Sequence, residues 1–373
     1  MQVRVLSGPG ALAELAEPVD DLHAAVGAPL MARRPWLDTW IASYREYRPV
    51  AVVIETGGRL AGAAMLAERG RRLARFVALG HGPSDAAALA AADHAAADAL
   101  AAAVSDYLGR LDRPWQLTLR HLPAGDRVAA GLARTLPRAV IAPGAVSPVL
   151  RVGDTRTLRA HVSRNHHQQI RRLRNRLDRD RIDPSVAQLR DPDGVHAVLP
   201  EVVEVCRARD QALGRRSAMD DPAAGAFFRR VVLSHARLGL VVLTTLRIGG
   251  RLAAYVLCFV DGAAYRMWHS RFHPDWSRYG VGLLAHDAAL EYALEHGCEL
   301  YDWGRGEEAY KSSLSNEQVQ GEDLRAWSGP FVAVPGRLFL RAKELAARGE
   351  RRGGATERAV DTARRVLDRV RTS

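Results

Sequence analysis

Residues 240–272 constrain the fold more than any other stretch of this 373-residue chain. Three apolar runs, 240–248, 251–260 and 263–272, are separated only by Gly249-Gly250 and Asp261-Gly262. Gly-rich two-residue turns reverse the chain with the twist that neighbouring strands need, so the spacing predicts a three-stranded antiparallel meander. Residues 281–296 follow with Leu283, Leu284, Ala288, Leu290 and Leu294 at helical spacing and a stop at Gly297. Residues 298–303 then read as a buried strand. Meander, helix and strand in that order make an α+β unit with an embedded crossover.

Ahead of the meander lie two helical segments, 195–213 and 223–238, and an arginine-rich helix beginning near Thr155. The first half of the chain repeats this order in outline. Trp36, Leu37, Trp40, Ile41 and Tyr44 give residues 35–47 an amphipathic helical pattern, with the aromatics expected in the core. Gly57-Gly58 joins two strand-like runs into a hairpin, residues 72–79 add a third strand, and an alanine-rich helix capped by Ser84 or Asp85 runs to about Leu108. Strands are expected at 115–119 and 139–141. The echo predicts two similar halves, each a mixed sheet flanked by helices, with bounds 1–154 and 155–335. Residues 336–373 are expected to form a basic helical extension.

Lys plus Arg is 53 against 42 Asp plus Glu, a net charge of +11, which favours an anionic partner: nucleic acid, a phosphorylated cofactor or a membrane surface. Only Lys311 and Lys343 are lysines. Where arginine has replaced lysine almost everywhere else, a retained Lys311 marks a place for a compact or deprotonatable cation. Cys206, Cys258 and Cys298 lie far apart without Cys-x-x-Cys spacing, so neither a disulfide framework nor a zinc cluster can be written. No run reaches the ~18 apolar residues of a membrane span, and no leader pattern opens the chain. These features lead us to expect a soluble, cytoplasmic protein.

The chemistry concentrates in residues 276–314. Gly280 and Gly282 open a helix just after the meander, where backbone N–H groups can face a phosphate. The expected cofactor loop is Ser277, Arg278, Gly280, Val281 and Gly282. Asp302 ends the next strand, and Gly304 and Gly306 turn the chain toward Tyr310 and Lys311. Tyr310, Tyr265 and Tyr279 are candidate acids; Asp302, Glu307 and His269 are candidate bases. The cluster of Arg305, Glu307 and Glu308 is expected to be solvated. His166 and His167 point about 100° apart on a helix and are poorly disposed to share a metal. Arg164, Arg171, Arg172, Arg174 and Arg176 make residues 163–181 basic on several sides, suited to tRNA or other phosphate contact.

Asp302-Trp-Gly-Arg-Gly followed by Tyr310-Lys311, the Gly280-Val-Gly-Leu-Leu helix start, the arginine-rich 163–181 helix, Trp36 and Ser84-Asp85 together resemble the CelD-like branch of the GNAT acyltransferases. More distantly, they are similar to the FemAB-type aminoacyltransferases. The resemblance spans residues 35–327. It implies tandem GNAT-like halves and transfer of an acyl group, usually from a coenzyme A thioester (acetyl-CoA by default), to an amine or other nucleophile; the expected acceptor is an amine, and no metal is expected. In FemAB-like relatives a lysine near this position acts on the donor or the leaving group, which puts Lys311, with Asp302, first among the catalytic candidates. Ser277 stands where the superfamily loop Gln/Arg-x-x-Gly-x-Gly/Ala has its first residue. The FemAB relation implies aminoacyl-tRNA as the alternative donor. A rival of another class is a non-catalytic nucleic-acid-binding protein, against which stands the scarcity of aromatic residues among the arginines. With no Gly-x-Ser-x-Gly elbow and no evident Cys–His pair, direct attack is expected rather than a covalent acyl-enzyme.

Overall fold

Gly249 and Gly250 adopt φ of +55° and +77°, and the two-residue turn they make is the pivot of the second half of the chain. In the computed structural model, which describes residues 1–306 and 308–329, it joins β9 (Val241–Ile248) to β10 (Arg251–Asp261), and β11 (Ala264–Phe272) completes the meander. The remaining elements in chain order begin with β1 (Gln2–Ser7), α1 (Pro9–Ala13), α2 (Ala16–Ala25), α3 (Arg34–Ser43), β2 (Arg48–Thr56), β3 (Arg59–Arg69), β4 (Ala74–Ala78) and β5 (Ala90–Ala91). Then come α4 (His94–Gly109), β6 (Trp115–Pro123), α5 (Arg127–Thr135), β7 (Val140–Arg151), α6 (Leu158–His161) and α7 (Arg164–Arg179). β8 (Pro184–Leu189), α8 (Pro192–Ala212) and α9 (Pro222–Arg237) precede the meander, and α10 (Val281–Glu295), β12 (Leu300–Asp302), α11 (Ala309–Ser313) and β13 (Glu317–Trp327) follow it. The expected basic extension at 336–373 lies outside the described residues.

The thirteen strands of the described residues form one mixed sheet in the order β1-β2-β3-β4-β6-β13-β7-β12-β11-β10-β9-β8, with β5 beside β3. Its parallel pairs are β4 with β6 and β11 with β12, one in each half, each bridged by a helix. The halves exchange their last strands. β7, which closes the first half, pairs with β12 of the second, and β13 lies between β6 and β7. This fold is α+β with two similarly ordered halves joined edge to edge.

Side chains alternate across the sheet. Tyr255, Leu257 and Phe259 of β10 face a core shared by α2, α3, α8 and α9, while Ala254, Val256 and Cys258 face α7 and α10. Trp36 and Trp40 of α3 are buried, and the Trp36 ring lies 5.2 Å from Phe227 of α9, so this layer ties the halves together. The aromatics of α3 are core, as their spacing predicts. The alanine-rich helix differs from expectation. It starts at His94, where the Asp93 carboxylate accepts from the Ala96 N–H at 2.7 Å, and not at Ser84 or Asp85. Those two residues are held instead by contacts to the second half.

Candidate active site

β12 pairs with β11 only through Leu300, Tyr301 and Asp302, opposite Ala264, Tyr265 and Arg266. Beyond Asp302 the chain leaves the sheet, with the Trp303 N–H donating to the Pro148 carbonyl, while β11 runs on to Phe272. The splay opens a cavity of about 420 Å³ around the tip of β11. A register shift opposite Leu257 and Cys258 leaves Trp268 as a bulge, so Trp268 and His269 share one face and Ser270 and Phe272 take the other. The cavity therefore meets both faces of the sheet. On the α10 side it is lined by Ser270, Phe272, Gly282, Leu283, His286 and Tyr310; on the α8 side by Arg209, Leu213, Arg215, Tyr255 and Arg271.

Gly280 has φ +61°, and a Cβ there would sit 2.7 Å from Leu173 of α7; a Cβ on Gly282 would sit 2.8 Å from the Phe272 ring. The glycines thus let α10 start against two packed side chains. Of the expected cofactor loop, only Gly282 reaches the cavity wall. The Ser277 hydroxyl donates to the Pro274 carbonyl at 2.5 Å, Arg278 pairs with Asp180 and stacks 4.6 Å over Tyr279, and Val281 is fully buried. Tyr279 donates to Asp180 at 3.0 Å and stays out of the cavity.

Tyr310 stacks on His286 with ring centroids 4.8 Å apart. Burial, with the Glu308 carboxylate adding, pushes the Tyr310 hydroxyl up to about 12. His286 is 6% exposed, and its Nδ1 has no hydrogen-bond partner. Burial, helped by the Lys311 ammonium, lowers His286 to about 3, so the imidazole is neutral at pH 7. Lys311 is 5% exposed; its ammonium donates to the Arg305 carbonyl at 2.6 Å and pairs with Glu308 at 3.1 Å. Asp302 does not line the cavity. One oxygen accepts from the Gly304 N–H at 2.8 Å and the other pairs with Arg266 at 2.9 Å, so both are occupied in holding the turn. Glu307 lies outside the described residues.

Arg305 is not solvated as expected. It donates to Asp85 at 2.7 Å, to the Ser84 carbonyl at 3.1 Å and to His121 Nδ1 at 2.9 Å, clasping the Trp-Gly-Arg-Gly turn to the first half. Tyr265 sits at the far end of β11 from the cavity, in the core facing α10. His269 shares a hydrogen bond of 2.8 Å with the Tyr255 hydroxyl, which lines the cavity, and burial lowers it to about 3. Arg164, Arg171, Arg172, Arg174 and Arg176 are all exposed on α7. Arg171 and Arg174 line a second cavity, of about 670 Å³, between α6, α7 and α10. His166 donates from Nε2 to Asp287 at 2.8 Å, a buried link from α7 to α10, while His167 lines the second cavity. Among the described residues, no three His, Cys, Asp or Glu side chains group as a metal site.

The sequence reading missed His286, Ser270, Arg271, Tyr255, Arg209 and Arg215. One signal was available. His286 stands four residues after Gly282 and so shares its helix face. The rest converge only through the fold.

The sequence profile described as acetyltransferase (GNAT) domain matches residues 164–312, the segment that contributes the whole cavity lining. No curated protein sequence matches the chain. Among solved structures, FemX superposes with a TM-score of 0.60 at 10% identity, covering 87% of this chain and 97% of FemX. L-PGS from Bacillus licheniformis superposes at 0.52 with 11% identity, covering 85% and 94%. A conserved protein of unknown function from Bacteroides thetaiotaomicron does so at 0.52 with 14% identity, covering 83% and 96%. At these identities the likeness is one of fold. Residues 164–312, which carry the splayed strands and the cavity between them, thus match an acetyltransferase (GNAT) domain, within a chain whose fold is shared with FemX.

Proposed function

We propose that the cavity at the tip of β11 is where an acyl group passes from a coenzyme A thioester to an amine by direct attack. The observation that carries this reading is the joining, in one cavity, of the first turn of α10 at Gly282 with the stacked pair His286 and Tyr310. N–H groups of a helix's first turn have no intrahelical acceptor and suit a phosphate-bearing donor. The thioester carbonyl would lie along β11, with the amine arriving from the α8 side. Neutral His286, its Nδ1 free, is the proton acceptor as the amine attacks, and Tyr310, protonated across the neutral range, donates to the departing thiolate. Lys311 acts behind them, holding the Arg305 carbonyl and setting the field on His286. The three cysteines are buried and their thiols raised by burial, Cys258 to about 12 and Cys298 to about 11, which disfavours a thiolate acyl-enzyme. The proposed division of labour gives residues 155–335 the chemistry and 1–154 the support, in a cytoplasmic protein.

The exposed arginines of α7 favour a second reading, in which the donor is aminoacyl-tRNA. Thermal stabilisation of nuclease-treated protein by acetyl-CoA, longer acyl-CoA esters and charged tRNA at two salt concentrations separates the two. A shift with a CoA ester that survives salt, together with amine-dependent thiol release, supports the first. A shift with tRNA alone, fading as salt rises, replaces it with the second.

A further inference from the structure

The α8 side of the cavity carries charge that direct acyl transfer does not need. Arg209, Arg215 and Arg271 all line it, and no Asp or Glu does. Arg215 is neutralised by Asp210 at 2.9 Å. Arg271 shares the field of that same Asp210 without an ion-pair contact to it, so one carboxylate serves two guanidinium groups. Arg209 has no carboxylate partner among the described residues; its guanidinium lies 4.4 Å over the Phe272 ring, which holds it flat against the wall. Arg271 spends one nitrogen on the Ser270 carbonyl at 2.7 Å, and its Nε is buried without a partner. A buried guanidinium N–H left without an acceptor is costly, and three arginines sharing one carboxylate in one recess leave an excess of positive charge there. Both costs are relieved by an anion. Planar guanidinium groups bind carboxylates and phosphates in forked, bidentate geometry.

Arg271 projects from the face of β11 opposite Ser270 and Phe272, toward Tyr255 and α8, and so away from the α10 start that suits the donor's phosphates. We infer that the amine acceptor carries its own anionic group, a carboxylate or a phosphate, held by Arg271 and Arg209. This rests on the cavity being the site of acyl transfer, and it names the class of acceptor: small anionic amines rather than polyamines or cationic amines. Tyr255, Leu213 and Phe272 give such an acceptor an apolar bed.

The test uses the full chain and two amine pairs that differ only in the anion: L-phenylalanine against phenethylamine, and O-phosphoethanolamine against ethanolamine. Binding is read by calorimetry and thermal shift without donor, and turnover by thiol release from acetyl-CoA. A charge-assisted bidentate contact predicts that the member of at least one pair that carries the anionic group binds about tenfold or more tighter than the partner lacking it. The pair that responds distinguishes carboxylate from phosphate. Arg271→Gln and Arg209→Gln should each erase that preference by raising KM for the anionic amine, with acetyl-CoA affinity unchanged. Equal response to both members of each pair, including none from either, overturns the inference. So does a loss of acetyl-CoA affinity in Arg271→Gln, which would give the arginines to the donor. Failure of wild type to bind acetyl-CoA counts against the donor reading alone, because the amine pairs are scored without donor.

Discussion

Gly280→Ala is the sharpest single test of how α10 is seated. The backbone at Gly280 has φ +61°, where an L side chain costs roughly 1–2 kcal/mol. The new Cβ would stand 2.7, 2.8 and 3.3 Å from three carbons of Leu173, a second cost of about 1–3 kcal/mol for overpacking. Leu173 is only partly buried, so its methyl groups can give way and the packing cost falls toward its lower bound. The expected loss is about 2–4 kcal/mol. Urea unfolding followed by tryptophan fluorescence measures it as a lower midpoint at unchanged slope. Adding Leu173→Ala isolates the two causes: the clash is relieved and the backbone cost stays, giving a coupling of about 1–2 kcal/mol between the sites. A loss under about 1 kcal/mol, or additivity within ~0.3 kcal/mol, would refute the account of Gly280 as a residue required by conformation and close approach.

Tyr310→Phe should lower kcat about 10²- to 10⁴-fold while leaving the unfolding midpoint near wild type, measured by thiol release and urea titration. Burial raises Tyr310 to about 12, so its protonated form persists; any stability it contributes is complete below pH 10 and lost as pH rises toward 12. His121 and His235 at about 4, and His269 and His286 at about 3, are lowered chiefly by burial. The unfolded chain therefore binds more protons from about pH 6.5 downward. Stability is complete above pH 6.5 and falls with acid by about 1.4 kcal/mol per pH unit per histidine, and His235→Gln should flatten that slope in pH-dependent urea unfolding. Asp85→Ala leaves the partly buried Arg305 guanidinium without its carboxylate and should cost about 1–3 kcal/mol by urea unfolding. It should also reduce turnover at temperatures where the fold is intact, because Lys311 is anchored on the Arg305 carbonyl.

Where structure is decided locally, the sequence is readable. The Gly249-Gly250 and Asp261-Gly262 turns placed the meander, and α8, α9 and α10 fall within a few residues of their apolar patterns. β13 was not readable: Glu317–Trp327 is polar over its first half, and its strand character comes from β6 and β7, more than 160 residues away. β8, whose side chains are all exposed or half-buried, gave no alternation either. The site divides the same way. Tyr310 and Gly282 were visible because glycines and a motif mark them. Arg209, Tyr255 and Arg271 lie on three elements whose meeting is a property of the splayed sheet. Asp302 looked like a base at a strand end, but an acid there also satisfies the turn that follows, and the Gly304 N–H and Arg266 occupy it.

The exchange of β7 and β13 makes this chain a natural candidate for fragment complementation. Cut in the segment between β7 and α6, it would yield two pieces, each lacking a strand its partner carries: β6 without β13 on one, β12 without β7 on the other. Each piece would expose an unpaired sheet edge, a hazard for aggregation alone and a template for reassembly together. Separately expressed halves should therefore recover folding and turnover only when mixed, and the intact chain should melt in a single transition.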